Sequence, residues 1–325
     1  MAAIITNKFR INNAEQFVES FSETSAETYY LFIGRAHAWA SDADVQGNTI
    51  AEGTDASPPT PNDDVSSEFY NWDDMLGAKI IASTDVSRCI PRRNWTTGTT
   101  YDMYEHNISS SNATASGATN LFDSTYVVMN SAYAVYKVIE NDGATASTVE
   151  PTSTSNSIFS TSDGYRWKYM YSLTSAETLN FMSTDFIHCS TESTDYSTTA
   201  GAIENAKVTA GGSSGTNGTY TNVDIRGDGS SGKCTVVVGS NAVTSVTITT
   251  AGSGYTYASV KASDIGNVSG ADLDFIISPP GGHATDIIAE LGGFFVMMNV
   301  DFATSESGEF NTSNDFRRIA LLRNP

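Results

Sequence analysis

Between Tyr165 and Ser172 the chain alternates strictly, with Tyr165, Trp167, Tyr169 and Tyr171 interleaved with Arg166, Lys168, Met170 and Ser172. Side chains of a strand point alternately to its two faces, so this spacing predicts a β-strand with an aromatic face in a core. Its other face is left to meet a partner. Tyr29 to Ile33 is a continuous apolar and aromatic run ending at Gly34, which suits a strand buried on both sides. From Tyr126 to Ile139 the apolar residues fall in two groups around Asn130 and Ser131, predicting two strands or one bent strand. Aromatics make up 10% of the chain and charged residues only 17%, with abundant Gly, Ser and Thr, a balance that favours strands and polar turns over a helical bundle. The expected class is mainly β.

Helices are expected only as short pieces in loops. Asn13 is placed to cap a helix carrying Phe17 and Phe21, with Gln16 at the reciprocal position. Ser66 is a second N-cap, with Phe69, Trp72 and Leu76 on one face and Gly77 as the stop. Thr174 to Glu177 forms a capping box ahead of Leu179 and Met182. Residues Ala40 to Val65 are mostly Asp, Gly, Thr, Ser and Pro and read as an exposed loop.

A chain of 325 residues holds two domains or one domain with a large insertion. Composition shifts near Thr191, and residues 191 to 280 are rich in Gly, Ser, Thr and Val. They carry an approximate repeat, Val208-Thr-Ala-Gly-Gly before Tyr220 and Ile248-Thr-Thr-Ala-Gly-Ser-Gly before Tyr255. Between the copies, Cys234 to Val238 and Val243 to Thr249 flank Gly239-Ser-Asn-Ala, a hairpin signal. The expected organisation is a core of 1–190 and 281–325 interrupted by a small all-β module at 191–280.

A formal net charge of -20 and a pI near 4.3 argue against nucleic-acid and anionic-membrane partners, because phosphate affinity comes largely from clustered Lys and Arg. Cys89, Cys189 and Cys234 have the spacing of neither a disulfide framework nor a zinc site, so buried free thiols are expected. The start of the sequence lacks a leader pattern and the apolar run Phe294 to Met298 is too short to span a bilayer, predicting folding in the cytoplasm.

Motifs of chemistry are weak. Gly227-Asp-Gly229-Ser-Ser-Gly232 matches a dinucleotide fingerprint, but a strand pattern, Cys234-Thr-Val-Val-Val, follows where a helix is needed. Gly211 to Gly215 matches a nucleophile elbow with no helix after it. Arg226-Gly-Asp228 reads as a solvated turn, and Asp224 with Asp228 falls short of a calcium loop. His37, His106, His188 and His283 are far apart, and the pairs Asp63-Asp64 and Asp73-Asp74 are most simply solvated, although paired acids could serve a glycosidase. No catalytic activity, cofactor or metal is expected.

The order of Phe32-Ile-Gly-Arg-Ala-His-Ala-Trp39, Pro58-Pro-Thr-Pro61, Ser66 to Gly77 and Ile90-Pro-Arg-Arg-Asn-Trp95 resembles the baseplate wedge subunit of T4-like contractile-tail bacteriophages. Thr6 to Arg10 looks like that family's opening strand, Asp163 to Tyr169 its aromatic strand and Phe316 to Pro325 another core strand. The resemblance implies a layered β-sandwich with long helix-bearing loops and a structural virion protein. That protein would sit in the tail baseplate as a homodimer, bind other wedge subunits, and rearrange when the tail contracts. Residues 191–280 have no counterpart in the best-known members and look like the glycine-tyrosine β repeats of phage tail proteins.

Candidate interaction residues are Arg92, Arg93 and Trp95, since arginine forks grip carboxylates and Trp and Arg concentrate at interface hot spots. The plainer alternative has the arginines neutralising nearby Asp residues and Trp95 filling the core. Arg35 and Trp39 read the same way, and Trp72 and Trp167 join them as interaction or structural aromatics. An alternative reading, host-surface or glycan binding, gives Tyr220, Tyr255 and Tyr257 the task of meeting sugar rings.

Overall fold

The structure, a computed structural model, describes residues 5–23, 27–35, 41–43, 49–51, 54, 56–57, 75–193, 199–302 and 316–325. The chain is mainly β, of the β-sandwich type. It divides into two compact units, Met1–Ile11 with Cys89–Phe295 and Asn12–Arg88 with Val296–Pro325. Residues 199–280 fall inside the first unit.

The first unit is built on a four-stranded antiparallel sheet in the order Val127–Met129, Ala134–Asn141, Tyr165–Ser172, Phe159–Ser160. Asn130 shapes the turn between the first two strands: its side-chain carbonyl accepts from the amides of Ala132 and Ala134 at 3.0 and 2.9 Å. The aromatic alternation does produce a strand, and Trp167 is fully buried, stacked on Tyr165 at 5.3 Å between centroids. The alternation holds from Tyr165 through Tyr169 and then breaks, because the register slips at Met170 in this strand and at Ile139 in its neighbour, each strand carrying one extra residue. Lys168 and Met170, expected to face a partner, are instead buried with the core. Helix Ile287–Leu291, capped by Asp286 and stopped by left-handed Gly292, closes this core with Ile287, Ile288 and Leu291.

Two acidic side chains act as ties for long loops. Asp102, itself buried, accepts hydrogen bonds from the amides and hydroxyls of Ser116 and Thr125. Asp163 accepts from Thr161, Ser147 and the amides of Thr148 and Val149.

Residues 203–277 form a second hydrophobic cluster with its own sheets. Ile203–Ser213 pairs with Ser269–Ile277, and Lys233–Gly239 lies between Gly218–Asp224 and Ala242–Thr250. The expected hairpin is present: Ser240 and Asn241 both have positive φ, 53° and 65°, which gives the two-residue turn a right-handed strand twist can accept. The Ser269–Ile277 strand serves two cores at once. Phe275 and Ile277 enter the second cluster while Ile276, on the opposite face, enters the first. Lys207 pairs with Glu105, and Asn205 donates to the carbonyl of Ile139 at 3.3 Å, so polar contacts also fasten this segment.

In the second unit Tyr29–Gly34 is the middle strand between Arg318–Arg323 and Met75–Ile80, both antiparallel. Phe17 and Phe21 pack edge-on and tilted against Tyr29, with centroids 5.6 and 4.5 Å away. Two expectations are corrected at the ends of the matching segments. The first helix runs Asn7–Glu19, opened by Thr6, whose hydroxyl accepts from the Phe9 amide at 3.3 Å; residues 7–10 are therefore helix and not an opening strand, and Asn13 is interior. Leu76 and Gly77, expected at the close of a helix, belong to the Met75–Ile80 strand; Phe69 and Trp72 lie outside the described residues. Most of the Ala40 to Val65 loop is also outside them, apart from a short hairpin of Ser41–Ala43 with Thr49–Ala51.

Candidate functional site

The residues singled out for interaction are largely satisfied within the chain. Arg92 donates from Nη1 to the Ser183 carbonyl at 2.8 Å and from Nε to Asn94 at 3.0 Å. Arg93 reaches the Phe122 carbonyl at 3.4 Å, and burial lowers its guanidinium pKa while the fields of Tyr126, Asp123 and Asp102 oppose that shift. Trp95 donates its indole N–H to Ser147 at 3.1 Å, and Trp167 donates to Thr161 at 3.0 Å. Arg35 ends its strand at φ 51°, and its carbonyl accepts from Arg317 at 3.1 Å. Trp39 and Trp72 lie outside the described residues.

Two of the three tyrosines expected on a sugar surface make hydrogen bonds within the module. Tyr255 is 2% exposed, its hydroxyl donating to the Ile225 carbonyl and accepting from the Gly232 amide. Tyr220 is half-buried and donates to the Thr216 carbonyl at 2.8 Å. Tyr257 alone of the three is open. The glycine fingerprint acquires a packing reason from the same ring: a Cβ on Gly229 would lie 2.4 Å from Tyr255 Cγ, and one on Gly232 2.8 Å from its hydroxyl. Asp228 accepts from the amide and hydroxyl of Thr256, and Asp224 pairs with Lys233, so both carboxylates are occupied by the module itself. Gly211 to Ser213 is the end of a strand.

Sequence reasoning missed a buried polar cluster in the first unit. Register places Lys137 directly opposite Lys168 in the four-stranded sheet, and both are buried. Lys137 pairs with Glu290, from the short helix, and sits over the Tyr104 ring at 4.7 Å. Glu290 also accepts from the Thr285 amide at 3.1 Å, while its backbone carbonyl accepts from the Tyr126 hydroxyl at 2.6 Å. Burial lowers the Lys137 pKa, Glu290 pulls it up, and Lys168 adds to the lowering. Lys168 donates to the Asn156 carbonyl. His283 is buried against Tyr104 at 5.4 Å, and its Nδ1 has no hydrogen-bond partner among the described residues. Burial pushes this imidazole well below its ordinary pKa, and Lys137, Lys168 and Arg166 push it further the same way.

Beside this cluster lies a pocket of about 410 Å3, lined by Arg166, Lys168, His283, Glu204, Ser157 and Thr199 among others. Arg166 is held at its mouth by Glu140 at 3.2 Å, by the Glu204 carbonyl at 2.7 Å and by the Glu204 carboxylate at 3.6 Å. The one legible trace of this site was the alternation that placed Arg166 and Lys168 on one strand. The partners Glu290 and His283 come from distant sequence.

The second unit offers a different kind of surface. Ile319 and Leu321 stand opposite Ile33 and Leu31 in the register yet are exposed, Ile319 by 64%. Leu76 and Ile80 are exposed on the other outer strand. Large apolar side chains on outer strands are a common feature of surfaces that meet another chain.

No curated protein matches the sequence. A family model described as Bacteriophage T4, Gp8 matches residues 3–150. The matched segment runs from the first helix through Arg92, Arg93 and Trp95 to the loop tied by Asp163, and stops short of residues 191–280. Over that part the chain is similar to a phage baseplate wedge protein, which supports a structural protein of the tail baseplate.

Proposed function

We propose that this chain is a non-enzymatic component of a T4-like phage baseplate wedge, located in the virion tail and assembled in the host cytoplasm. It works by holding neighbouring wedge proteins in register. The observation that carries the reading is the family match over residues 3–150. The internal use of Arg92, Arg93, Trp95 and Trp167 agrees with it, since a framework of satisfied hydrogen bonds and buried aromatics suits a rigid spacer. Partner contacts then fall to the exposed apolar strands around Ile319, Leu321, Leu76 and Ile80, including those of a homodimer. Residues 191–280 are an inserted module on a 1–190 and 281–325 core, a reading supported by the separate hydrophobic cluster of 203–277. Contraction of the tail would exchange one set of wedge contacts for another.

Light scattering on the purified chain, alone and mixed with the other wedge proteins, tests the proposal. A dimer that enters a larger complex is expected. A monomer that ignores those proteins at all concentrations would overturn it.

A further inference from the structure

Lys207, in the Ile203–Ser213 strand, lies against an amide and two carboxylates at once. Its register partner is Asp274, whose carboxylate is 3.7 Å from Nζ. Nζ also donates to Glu105, which is buried, and lies 3.4 Å from Oδ1 of Asn112. The Asn112 amide is fixed in this orientation. Its Nδ2 donates to Asn107 Oδ1 at 3.1 Å, and Asn107 in turn donates to both Asp274 oxygens at 3.0 and 3.1 Å. The backbone of Asn112 is tied as well, exchanging two hydrogen bonds of 3.1 Å with Ser109. An ion pair that served packing alone would need only the lysine and one acid. An amine, a carboxamide and a buried acid held in one place are the three groups that an amide transfer needs.

We propose that Lys207 and Asn112 join covalently through an isopeptide bond, with Glu105 as the proton carrier. Asn112 Cγ is one carbonyl bond of about 1.2 Å from the oxygen that Nζ already faces, so a small turn of the amide brings it within the roughly 3–3.5 Å of a near-attack pair. Lys207 passes a proton along its hydrogen bond to Glu105, leaving a neutral amine beside a neutral acid, the arrangement that burial penalises least. The Nζ lone pair then forms the bond to Cγ, and the carbonyl π pair moves to Oδ1. Glu105 returns its proton to Nδ2, the Cγ–Nδ2 bond breaks with its electron pair on nitrogen, and the carbonyl re-forms. The second proton lost by Nζ passes through Glu105 to the released ammonia, which leaves as ammonium. Nothing is oxidised or reduced, and the Glu105 carboxylate is regenerated. The reaction happens once per chain and turns over no substrate. Its product ties the loop that follows Met103 and Tyr104 of the first hydrophobic cluster to a strand of the second, where Ala206 and Val208 pack. The inference stands on this geometry and does not rest on the baseplate reading.

Intact-mass spectrometry of the full chain, followed by peptide mapping, tests it. A folded sample incubated at neutral pH should lose one ammonia, and its tryptic digest should contain a branched peptide joining Asn112 to Lys207. Lys207→Arg, which keeps a cation between Glu105 and Asp274, and Asn112→Ala should each abolish both signals. Glu105→Gln should slow the conversion by about 100-fold or more. If Glu105→Gln does not fold by circular dichroism, Lys207→Arg and Asn112→Ala still decide. An unchanged mass, a loss of water mapped to Lys207 and Asp274, or an ammonia loss that persists in Lys207→Arg as a cyclised Asn would each overturn the proposal. Conversion at the original rate in a folded Glu105→Gln would overturn the role of Glu105.

Discussion

Replacing Glu290 by Gln isolates the electrostatics of the first core. Gln keeps the shape and still accepts from the Thr285 amide, but it removes the charge that faces Lys137. Lys137 has no exposed side-chain surface, and Glu290 has 2%, so neither can turn to water. Breaking a fully buried pair by neutralising one member costs about 3–5 kcal/mol, because the remaining charge stays desolvated. The upper half of that range is expected here, since Lys168 lies opposite Lys137 in the register and repels it. With a urea dependence of about 3 kcal/mol/M for a unit of this size, the unfolding midpoint should fall by about 1.3–1.7 M. The companion variant Lys137→Met with Glu290→Gln removes the stranded ammonium and should regain most of the loss. A pH series adds a second check. Burial lowers the Lys137 pKa in the folded protein, so between that value and the unfolded value of about 10.4 the unfolded chain binds more protons. Stability of the single variant should therefore rise with pH through this window. A midpoint shift below about 0.5 M, or a double variant no better than the single one, would show that the pair is not the buried, dry contact described.

Gly229→Ala places a methyl group 2.4 Å from Tyr255 and 2.6 Å from the Ser253 carbonyl, so overpacking should cost about 1–3 kcal/mol, read by thermal denaturation; wild-type stability would show that the ring has room to move. Asp163 should govern acid stability. Burial raises its carboxyl pKa, but hydrogen bonds from Thr161, Val149, Thr148 and Ser147 outweigh this and bring it to about 2. A carboxylate lowered in the folded state contributes stability above its unfolded pKa, which is lost as pH falls from about 4 toward 2. Asp163→Asn should flatten circular-dichroism acid melting in that window, and an unchanged slope would remove the role. Ile319→Asp, on an exposed strand position, should leave the monomer fold intact but weaken self-association measured by light scattering; unchanged association would move the contact elsewhere.

What the sequence made legible follows the reach of each signal. The capping box at Thr174, the hairpin at Ser240-Asn241 and the strands at Tyr29 and Tyr165 depend on neighbours a few residues apart, and these appear in the structure. The first helix was placed too late because Asn13 is as good a cap as Thr6 in sequence. Only the structure shows that the Phe9 amide is taken by Thr6. Tyr255 looked presentable because its flanking glycines read as loop. In three dimensions the ring fills the space left by other glycines, Gly227, Gly229 and Gly232, more than twenty residues earlier in the chain.

The cluster of Lys137, Lys168, Glu290 and His283 was hidden for a more basic reason. A lysine on a strand is most often a solvated face, and nothing within ten residues of Lys137 or Lys168 announces a partner. Between the slips at Ile139 and Met170 the alternation is regular, with Lys137 opposite Lys168 on one face and Tyr136 and Val138 opposite Tyr169 and Trp167 on the other; the lysines are buried because both faces of the sheet are covered, and that cover comes from distant sequence. Once inward, each ammonium needs an acceptor, and the chain supplies Glu290 from a helix and the Asn156 carbonyl from a loop. The cover that removes the expected partner face also brings His283 close to Lys168. Buried charge is tolerated only where each ammonium keeps its acceptor, so the framework depends on the distant segments that cover this face of the sheet.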